Sequence, residues 1–318
     1  MVHLALDIGG TKISGALFGP EGDVIFRIKR LLEGRGGSQA AALAVDMAAE
    51  LIALSGESSA VEVVMGICVP GIAWPGSGRV WAPNIPGWED FPLGEVLGSA
   101  FPERKTSVFI ESDRSCHILG EVWKGKARGC NDVVFMAVGT GIGVGLLCGG
   151  KVIRGSRNIA GAAGWMALDP AWKEDFSRCG CFEYYASGLG LTHRTEAFFL
   201  QDPDSGSLLR QLPPEGLTAG LFKAYEEGDR VAREVVGQAV SYWGMAAANL
   251  VSLLNPEKVI WGGGIFGPAT RLLEDIRREA ARWAQPLAFT GVTFEASALD
   301  QDAGLTGAAY LALRKGEV

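Results

Sequence analysis

Apolar positions near the start of the chain form short runs, and later ones form longer periodic segments. Residues 3–8, 13–18 and 23–29 are runs separated by the turn sequences GGTK and GPEG, a pattern that predicts two hairpins opening a sheet. Residues 38–54 are rich in Ala and Leu, with apolar side chains at helical spacing, and predict a helix. Residues 61–69 predict a buried strand.

The opening pattern returns near the middle of the chain. Residues 108–110 predict a strand and residues 112–123 a helix, after which an apolar strand at 133–138 is followed by GTGIG and a strand at 144–148. The order of strands and glycine turns therefore resembles that at the start. This is a repeat of architecture rather than of sequence, and it indicates two related α/β domains.

The second half of the chain is mostly helical by its pattern. Residues 155–188 are irregular and rich in Gly, Trp and Asp, which predicts a long functional loop. Residues 230–254 have the apolar stripe of a long helix, and 258–261 form a strand that ends in three glycines. Helices are predicted at 268–283 and, as the closing element, at 304–313.

Composition narrows the class of protein. A chain of 318 residues suits two domains, and 48% hydrophobic with 20% charged residues indicates a globular protein in solution. The net charge of -7 argues against nonspecific nucleic-acid binding, which depends on Lys and Arg. The start MVHLALDIGG lacks the pattern of a signal peptide, and no run of ~18 apolar residues predicts a membrane span.

The cysteines and the start of the chain support the same class. Most of the six cysteines stand alone in apolar or helical contexts, as reduced thiols do in a cytoplasmic protein. Only two residues precede His3, so no helix-turn-helix module is expected before the first strand.

Glycine is unusually common, at 45 residues, and three loops contain clusters of it. In LALDIGGTK, Gly9 and Gly10 permit a tight turn whose amides can approach phosphate oxygens, with Thr11 and Lys12 beside them. Asp7, at the end of the strand, is placed to hold Mg²⁺ through water. The alternative is a Gly-Gly hairpin with an incidental aspartate.

The other two loops complete a possible nucleotide site. In VFMAVGTGIGVGLL the amides of Gly139 and Gly141, with Thr140, are placed to bind the β- and γ-phosphates from the other side. No GK[ST] follows, and no helix begins there, so neither a P-loop nor a dinucleotide fingerprint is present. In VIWGGGIFG, Gly263 and Gly264 offer a floor for adenine or ribose, or else a simple strand-to-helix turn.

The three loops in this order resemble the ROK family (repressors, open reading frames, sugar kinases), over nearly the whole chain. The ending DAGLTGAAYLAL, residues 302–313, is similar to the last connecting helix of that family. The resemblance implies an α/β fold of two actin-like ATPase (ribonuclease H-like) domains that flank a nucleotide and substrate cleft. The domains are expected at 1–113, joined by about 304–318, and at 114–303.

The resemblance also implies a catalytic base and sugar contacts. FIESDRSCHILGE, residues 109–121, matches the strand–helix junction where the family has its base, here Asp113, and a carboxylate suits proton abstraction in phosphoryl transfer. Asp113 or Ser112 could also be a helix N-cap. WAPNIPGW places Asn84 at a sugar contact, or in a plain turn. GCFEYYASG places Glu183 near the anomeric end.

The substrate loop departs from the family pattern. The family typically has AGEIGH, whose Glu and His contact the sugar, whereas this chain has AGAAGW with Ala162 and Trp165. Trp165 either stacks on a sugar ring or fills the volume of the missing zinc module.

The zinc ligands of the family are also missing. Of its three cysteine positions only Cys181 is matched, the other two being Glu174 and Phe176, and Cys179 aligns with none. One thiolate without the His cannot form a tetrahedral site, so no structural zinc is expected. His193 is expected on the helix after the loop, as a surface or capping residue.

These features predict an ATP- and Mg²⁺-dependent, glucokinase-like enzyme that phosphorylates a hydroxyl of a sugar or polyol. One alternative is a sugar-sensing regulatory protein without a DNA-binding domain, which the altered substrate loop favours. The other is an unrelated use of the ATPase fold, which Asn84 and Glu183 argue against. The resemblance implies a possible homodimer. The acidic net charge and the lack of a long apolar run predict neither nucleic acid nor a membrane as partner.

Overall fold

The computed structural model describes residues 1–203 and 206–317. In chain order the strands are β1 (Val2–Ile8), β2 (Lys12–Phe18), β3 (Val24–Leu31), β4 (Val63–Val69), β5 (Ile72–Trp74), β6 (Arg79–Trp81), β7 (Thr106–Ser112), β8 (Val133–Val138), β9 (Ile142–Cys148), β10 (Lys151–Val152), β11 (Lys258–Gly262) and β12 (Thr293–Ala296).

The helices account for much of the second half. They are α1 (Gly37–Leu54), α2 (Leu93–Ser99), α3 (Asp113–Lys124), α4 (Phe176–Cys179), α5 (Cys181–Ala186), α6 (Gly188–Gln201), α7 (Pro214–Glu226), α8 (Arg230–Leu254), α9 (Leu273–Ala281), α10 (Pro286–Thr290) and α11 (Ala303–Leu313). Val318, the last residue of the predicted closing segment, lies outside the described residues.

The two five-stranded sheets have the same plan. The first has the order β3-β2-β1-β4-β7 and the second the order β10-β9-β8-β11-β12. In each sheet the first three of its strands in chain order form an antiparallel meander. Two further strands then continue the sheet, parallel to the first strand of that meander. The central strand β4, VVMGICV, is buried along its whole length, as a parallel strand covered on both faces must be. The predicted repeat of architecture is therefore confirmed.

Helix α11 packs very closely on the first sheet and on α3. A Cβ on Gly66 of β4 would lie 1.7 Å from the carbonyl oxygen of Ala308, and one on Gly307 would lie 1.8 Å from that of Cys116. Only glycine fits at these two positions. Close packing of small residues thus joins the last helix to β1, β4 and α3, and it brings Gly304 against Asp7.

Helix α1 covers the first sheet. Its Ala44, Met47 and Leu51 side chains are fully buried in the core beneath β1 and β2. By length and composition alone it is the one helix of the described ranges that could cross a membrane, a test that core helices of soluble proteins also pass. The absence of a membrane partner stays a prediction.

Two predicted elements are wrong in part. The segment 155–188 is not irregular throughout, because it contains α4, α5 and a 3₁₀ turn at Ala163–Trp165. In α5, Phe182 and Tyr185 are buried at helical spacing, but six residues are too few for a periodic signal. The helix predicted at 268–283 is a 3₁₀ turn, Pro268–Leu272, followed by the shorter α9. The helices α2, α7 and α10, and the strands β5, β6, β10 and β12, were not predicted as such, whereas α6 is the helix that was expected after the loop, without stated bounds.

Candidate active site

A cleft of about 460 Å³ brings together residues from the ends of both sheets. Its lining contains these residues singled out from the sequence: Asn84, Asp113, Gly139, Thr140, Gly141, Ala162, Trp165, Glu183 and Gly263. The first glycine loop lies beside it rather than in its lining, although Gly10 approaches Asn84 closely enough that a Cβ would lie 3.0 Å from its carbonyl oxygen.

Asp113 lies at the junction of β7 and α3. The cap of α3 is Ser112, whose hydroxyl accepts a hydrogen bond from the amide of Ser115 at 3.3 Å. Asp113 is the first helical residue, and its Oδ1 accepts from the amide of Arg114 at 2.8 Å. Its other oxygen has no hydrogen bond to any residue that the structure describes. Ser112 therefore caps the helix, and the partly buried carboxylate of Asp113 remains available to the cleft.

Asp7 is the last residue but one of β1 and is partly buried. Burial raises the pKa of its carboxyl, and the neighbouring Asp113 also raises it, whereas the thiol of Cys68, His117 and Lys12 lower it. A cation beside Asp7 would offset the cost of burying its charge. Mg²⁺ typically uses one or two carboxylates together with water and substrate phosphates. Among the described residues no group of three or more His, Cys, Asp or Glu side chains could hold a metal ion by protein ligands alone.

The first glycine turn offers two amides. The amide of Gly9 donates to the carbonyl of Lys12 at 2.9 Å and closes the turn. The amides of Gly10 and Thr11 have no acceptor among the described residues. Lys12 extends away from the cleft lining, since its Nζ donates to Oε1 of Gln301 at 3.3 Å. The turn therefore offers backbone amides as hydrogen-bond donors, whereas the side chain of Lys12 is bound to Gln301.

The second glycine turn is one residue shorter than the first but also offers two amides. The amide of Gly139 is used within the turn, at 2.9 Å from the carbonyl oxygen of Gly141, whereas the amides of Thr140 and Gly141 have no acceptor in the described ranges. The amide of Gly188, the first residue of α6, donates to the carbonyl of Gly139 at 2.8 Å. The start of α6 therefore fixes this turn.

Glu183, on α5, contacts this turn in addition to lining the cleft. Its Oε2 accepts a hydrogen bond from the amide of Ile142 at 2.6 Å, and a Cβ on Gly141 would lie 2.6 Å from the same oxygen. Burial raises the pKa of Glu183, and the hydrogen bond from Ile142 opposes that rise. The sequence indicated only a sugar contact for this residue.

The third glycine loop lies directly against the second. Gly263 has φ +89°, and a Cβ there would be 2.5 Å from the carbonyl oxygen of Val138, so the position requires glycine. Gly264 faces open space and lines a second cavity of about 780 Å³. This cavity meets the cleft at Gly139 and Thr140.

Helices α6 and α7 form the far wall of that second cavity. The wall includes Thr192, His193, Glu196, Thr218 and Phe222. The hydroxyls of Thr192 and Thr218 lie 2.9 Å apart. His193 is on α6 and exposed, as expected, but it also lines this cavity. Of this wall only His193 was noted from the sequence, and without a role in a site, because no local motif shows how the two helices meet.

Two further side chains of α3 line the cleft and were missed. Arg114 donates from Nη2 to the carbonyl of Gly71 at 2.8 Å. Its Nε and the Nδ1 of His117 are buried without a hydrogen-bond partner in the described residues. His117 lies four residues after Asp113 and three after Arg114, so it shares a helix face with each of them, and this spacing was the available signal.

The substrate loop has an aromatic interior where the family has zinc ligands. Phe176 is buried and contacts the rings of Tyr184 and Tyr185, with centroids 5.3 and 5.7 Å away. Cys179 and Cys181 are free thiols. Trp165 is 57% exposed at the edge of the cleft. The absence of structural zinc stays a prediction.

Comparison with known proteins agrees with this geometry. The model of the ROK family matches residues 3–315. A glucokinase of Thermotoga maritima is 30% identical over 320 residues, which cover 97% of this chain and 96% of the relative. The crystal structure of a ROK hexokinase from Thermus thermophilus has a TM-score of 0.78 and 30% identity, with 99% of each chain covered. That of a ROK family glucokinase from Streptomyces griseus in complex with glucose and AMPPNP has a TM-score of 0.77 and 28% identity, over 99% of this chain and all of that one.

Proposed function

This chain belongs to the ROK family, and on that basis we propose that it is an ATP-dependent kinase that phosphorylates a hydroxyl of a sugar or sugar-like molecule. Its fold is the predicted actin-like ATPase fold of that family. The observation that carries the proposal is that the carboxylate of Asp113 and the amides of Thr140 and Gly141 face one cleft.

The phosphates of ATP would lie between the two glycine turns. Each turn offers two amides without an acceptor among the described residues, from Gly10 and Thr11 on one side and from Thr140 and Gly141 on the other. Such amides bind phosphate oxygens without needing a positive net charge on the protein. The adenosine would extend past Gly263 and Gly264 into the cavity between α6 and α7. The Lys12 cation adds charge only if it leaves Gln301.

Phosphoryl transfer needs a base on the acceptor side, and Asp113 is placed for it. As the acceptor oxygen forms its bond to the γ-phosphorus, the bond from that phosphorus to the β-phosphate oxygen breaks, and Asp113 takes the hydroxyl proton. Asn84 and Glu183 bind sugar hydroxyls, and Trp165 covers a ring face. These residue roles are part of the proposal.

A divalent metal accompanies ATP in this chemistry, and we propose Mg²⁺ held by Asp7 through water. When bound, it supplies positive charge that neutralises the phosphate oxygens. The raised pKa of Asp7 and the nearness of Asp113 are the features that fit such a cation. No structural zinc is included in the proposal.

The remaining expectations belong to the same proposal. The division into residues 1–113 with 304–318 and residues 114–303 is supported by the two sheets and by the packing of α11 on the first. A cytoplasmic location, a homodimer, and the absence of nucleic-acid and membrane partners are also proposed.

The altered substrate loop favours a second candidate, a sugar-sensing protein with little turnover. Ala162 and Trp165 stand where the family has the Glu and His that contact sugar. A sensor would bind sugar and ATP without releasing ADP at a useful rate.

The decisive experiment is ADP release by the purified protein with ATP and Mg²⁺ across hexoses, amino sugars, ketoses and cyclitols. A kinase releases ADP well above background with at least one compound, and Asp113→Asn abolishes that increase. If no compound raises ADP release while the protein still binds ATP, the protein is the sugar sensor rather than the kinase.

A further inference from the structure

A groove lies on the outer side of the substrate loop, next to the cleft. We call it the Trp165–Trp172 groove, and its volume is about 680 Å³, within the range of small-molecule sites. Trp165, Leu168, Asp169, Trp172, Phe176 and Ser177 are among its lining residues. Trp165 is 57% and Trp172 69% exposed. Two large indole rings are therefore left open to solvent in a single concave site.

The groove borders the cleft, because Trp165 lines both. Its backbone is fixed by the amide of Trp165 donating to the carbonyl of Ala162 at 3.2 Å. Behind it, Gly180 has φ +85° and approaches so closely that a Cβ would lie 2.6 Å from the Trp165 Cα. A ligand group that leaves the cleft past Trp165 would enter this groove directly.

The lining has the character of a site for a neutral ring with one apolar face and several hydroxyls. Exposed indoles bind the apolar face of such a ring. Asp169 is the one charged residue among the described lining residues. Its Oδ2 accepts from the Tyr185 hydroxyl at 2.5 Å and its Oδ1 from the amide of Ala171 at 2.9 Å.

These bonds fix the Asp169 carboxylate in the groove. The Tyr185 hydroxyl first, and then the Ala171 amide, hold the pKa of Asp169 below its usual range. At neutral pH it can accept further hydroxyl donors, and it would repel an anionic group.

We propose that the Trp165–Trp172 groove binds the second sugar ring of a disaccharide whose first ring is phosphorylated in the cleft. This rests on the proposed kinase function, and the transfer step is the same: the acceptor oxygen bonds to the γ-phosphorus, the bond to ADP breaks, and Asp113 takes the proton. The groove adds only binding of the neighbouring ring. It makes a disaccharide, rather than its component monosaccharide, the better acceptor.

The test compares glucose with maltose, cellobiose and sucrose as acceptors, in the full chain with ATP and Mg²⁺. At least one disaccharide is expected to exceed its monosaccharide in kcat/KM by about tenfold, mainly through a lower KM. Trp172→Ala should reduce that ratio to near one, and Trp172→Phe should keep most of it. Trp283→Ala is the matched control, since that indole is also exposed, at 59%, but lies outside both the cleft and the groove.

Three results would overturn the groove assignment while leaving the kinase intact. They are phosphorylation of monosaccharides with refusal of every disaccharide, a ratio that Trp172→Ala does not change, and a preference for phenyl β-glucoside over all disaccharides. If no acceptor stimulates ADP release, the kinase proposal fails, and calorimetry with the same disaccharides then tests the groove alone. Binding that Trp172→Ala weakens supports it, and absence of binding overturns it.

Discussion

The carboxylate of Glu183 accepts a hydrogen bond from the amide of Ile142, with Oε2 2.6 Å from the nitrogen. Ile142 directly follows the turn of residues 139–141, which lines the cleft and leaves the amides of Thr140 and Gly141 without an acceptor among the described residues. One side chain therefore connects the proposed sugar site with the proposed phosphate site. Substitution of Glu183 should therefore change the binding of both substrates. The effect on ATP should depend on whether the new side chain still accepts a hydrogen bond from the amide of Ile142.

Two substitutions of Glu183 should separate these roles. Glu183→Ala leaves the amide of Ile142 without its partner, so we expect the KM for ATP and the KM for the sugar to rise about tenfold or more. Glu183→Gln keeps an amide oxygen for Ile142, so the KM for the sugar should rise while that for ATP changes little. Steady-state kinetics with each substrate varied in turn checks this. Equal effects of both variants on ATP would contradict it.

The pKa of Glu183 also predicts a pH dependence of stability. Burial raises this pKa in the folded protein above its ordinary 4.5, so ionisation costs more in the folded than in the unfolded state. The stability of the wild type should therefore fall, relative to Glu183→Gln, as pH rises from 4 through that pKa. Urea unfolding of both proteins between pH 4 and 7 measures the difference. A wild type that gains stability relative to Glu183→Gln as the pH rises would contradict the assignment.

Replacing Asp113 should remove the chemical step and keep binding. Asp113→Asn retains the shape of the side chain but cannot take the hydroxyl proton, so kcat should fall about 100- to 10 000-fold. The dissociation constant for ATP, measured by calorimetry, should change by less than about threefold. Asp275→Asn, a surface substitution in α9, is the control. Near-normal turnover of the Asp113 variant would exclude the residue as the base.

Adjacent glycines in the third loop should respond differently to alanine. At Gly263 a Cβ would meet the carbonyl of Val138 at 2.5 Å, with φ +89°, whereas at Gly264 it would meet nothing within 4 Å. Gly263→Ala should lower the free energy of unfolding by about 1–3 kcal/mol or more. Gly264→Ala should change it by less than about 1 kcal/mol. Equal losses in chemical denaturation would show that the backbone at 263 is not constrained as described.

An ion pair next to the proposed base should contribute to stability. Arg154 donates from Nε to Oε1 of Glu111 at 2.6 Å, and Glu111 is only 5% exposed. Arg154→Ala leaves this carboxylate buried without its partner, which should cost about 2–4 kcal/mol of unfolding free energy.

The control is an exposed pair of the same type. Arg27 and Asp302 lie 2.8 Å apart, and both side chains are nearly half exposed, so Arg27→Ala should cost about 1 kcal/mol or less. Urea unfolding of the two variants decides the matter, and equal losses would argue against a special role for burial at Glu111.

Sequence predicted best what local chemistry decides. The bounds 230–254 of α8 agree with the structure because Asp229 caps its start and Asn255 ends it in a left-handed conformation. The glycine loops were recognisable because a position such as Gly263 admits no side chain. These features need no knowledge of distant parts of the chain.

What was missed depends on how elements pack. Thr192 and Thr218 meet only when α6 and α7 come together, and Glu183 meets Ile142 only when α5 packs on β9. The residue roles in the cleft stay predictions, since the geometry places the side chains and kinetics must test them.

Close packing of α11 has a consequence for how the molecule is made. Asp7 is among the first residues to leave the ribosome, yet its carboxylate rests against Gly304, at the start of α11. Domains tend to fold in the order of synthesis. Here the first sheet cannot complete its packing until α11, near the end of the chain, has been synthesised. The proposed ATP site is therefore among the last parts to mature, so a nascent chain should be unable to bind nucleotide until translation is almost complete.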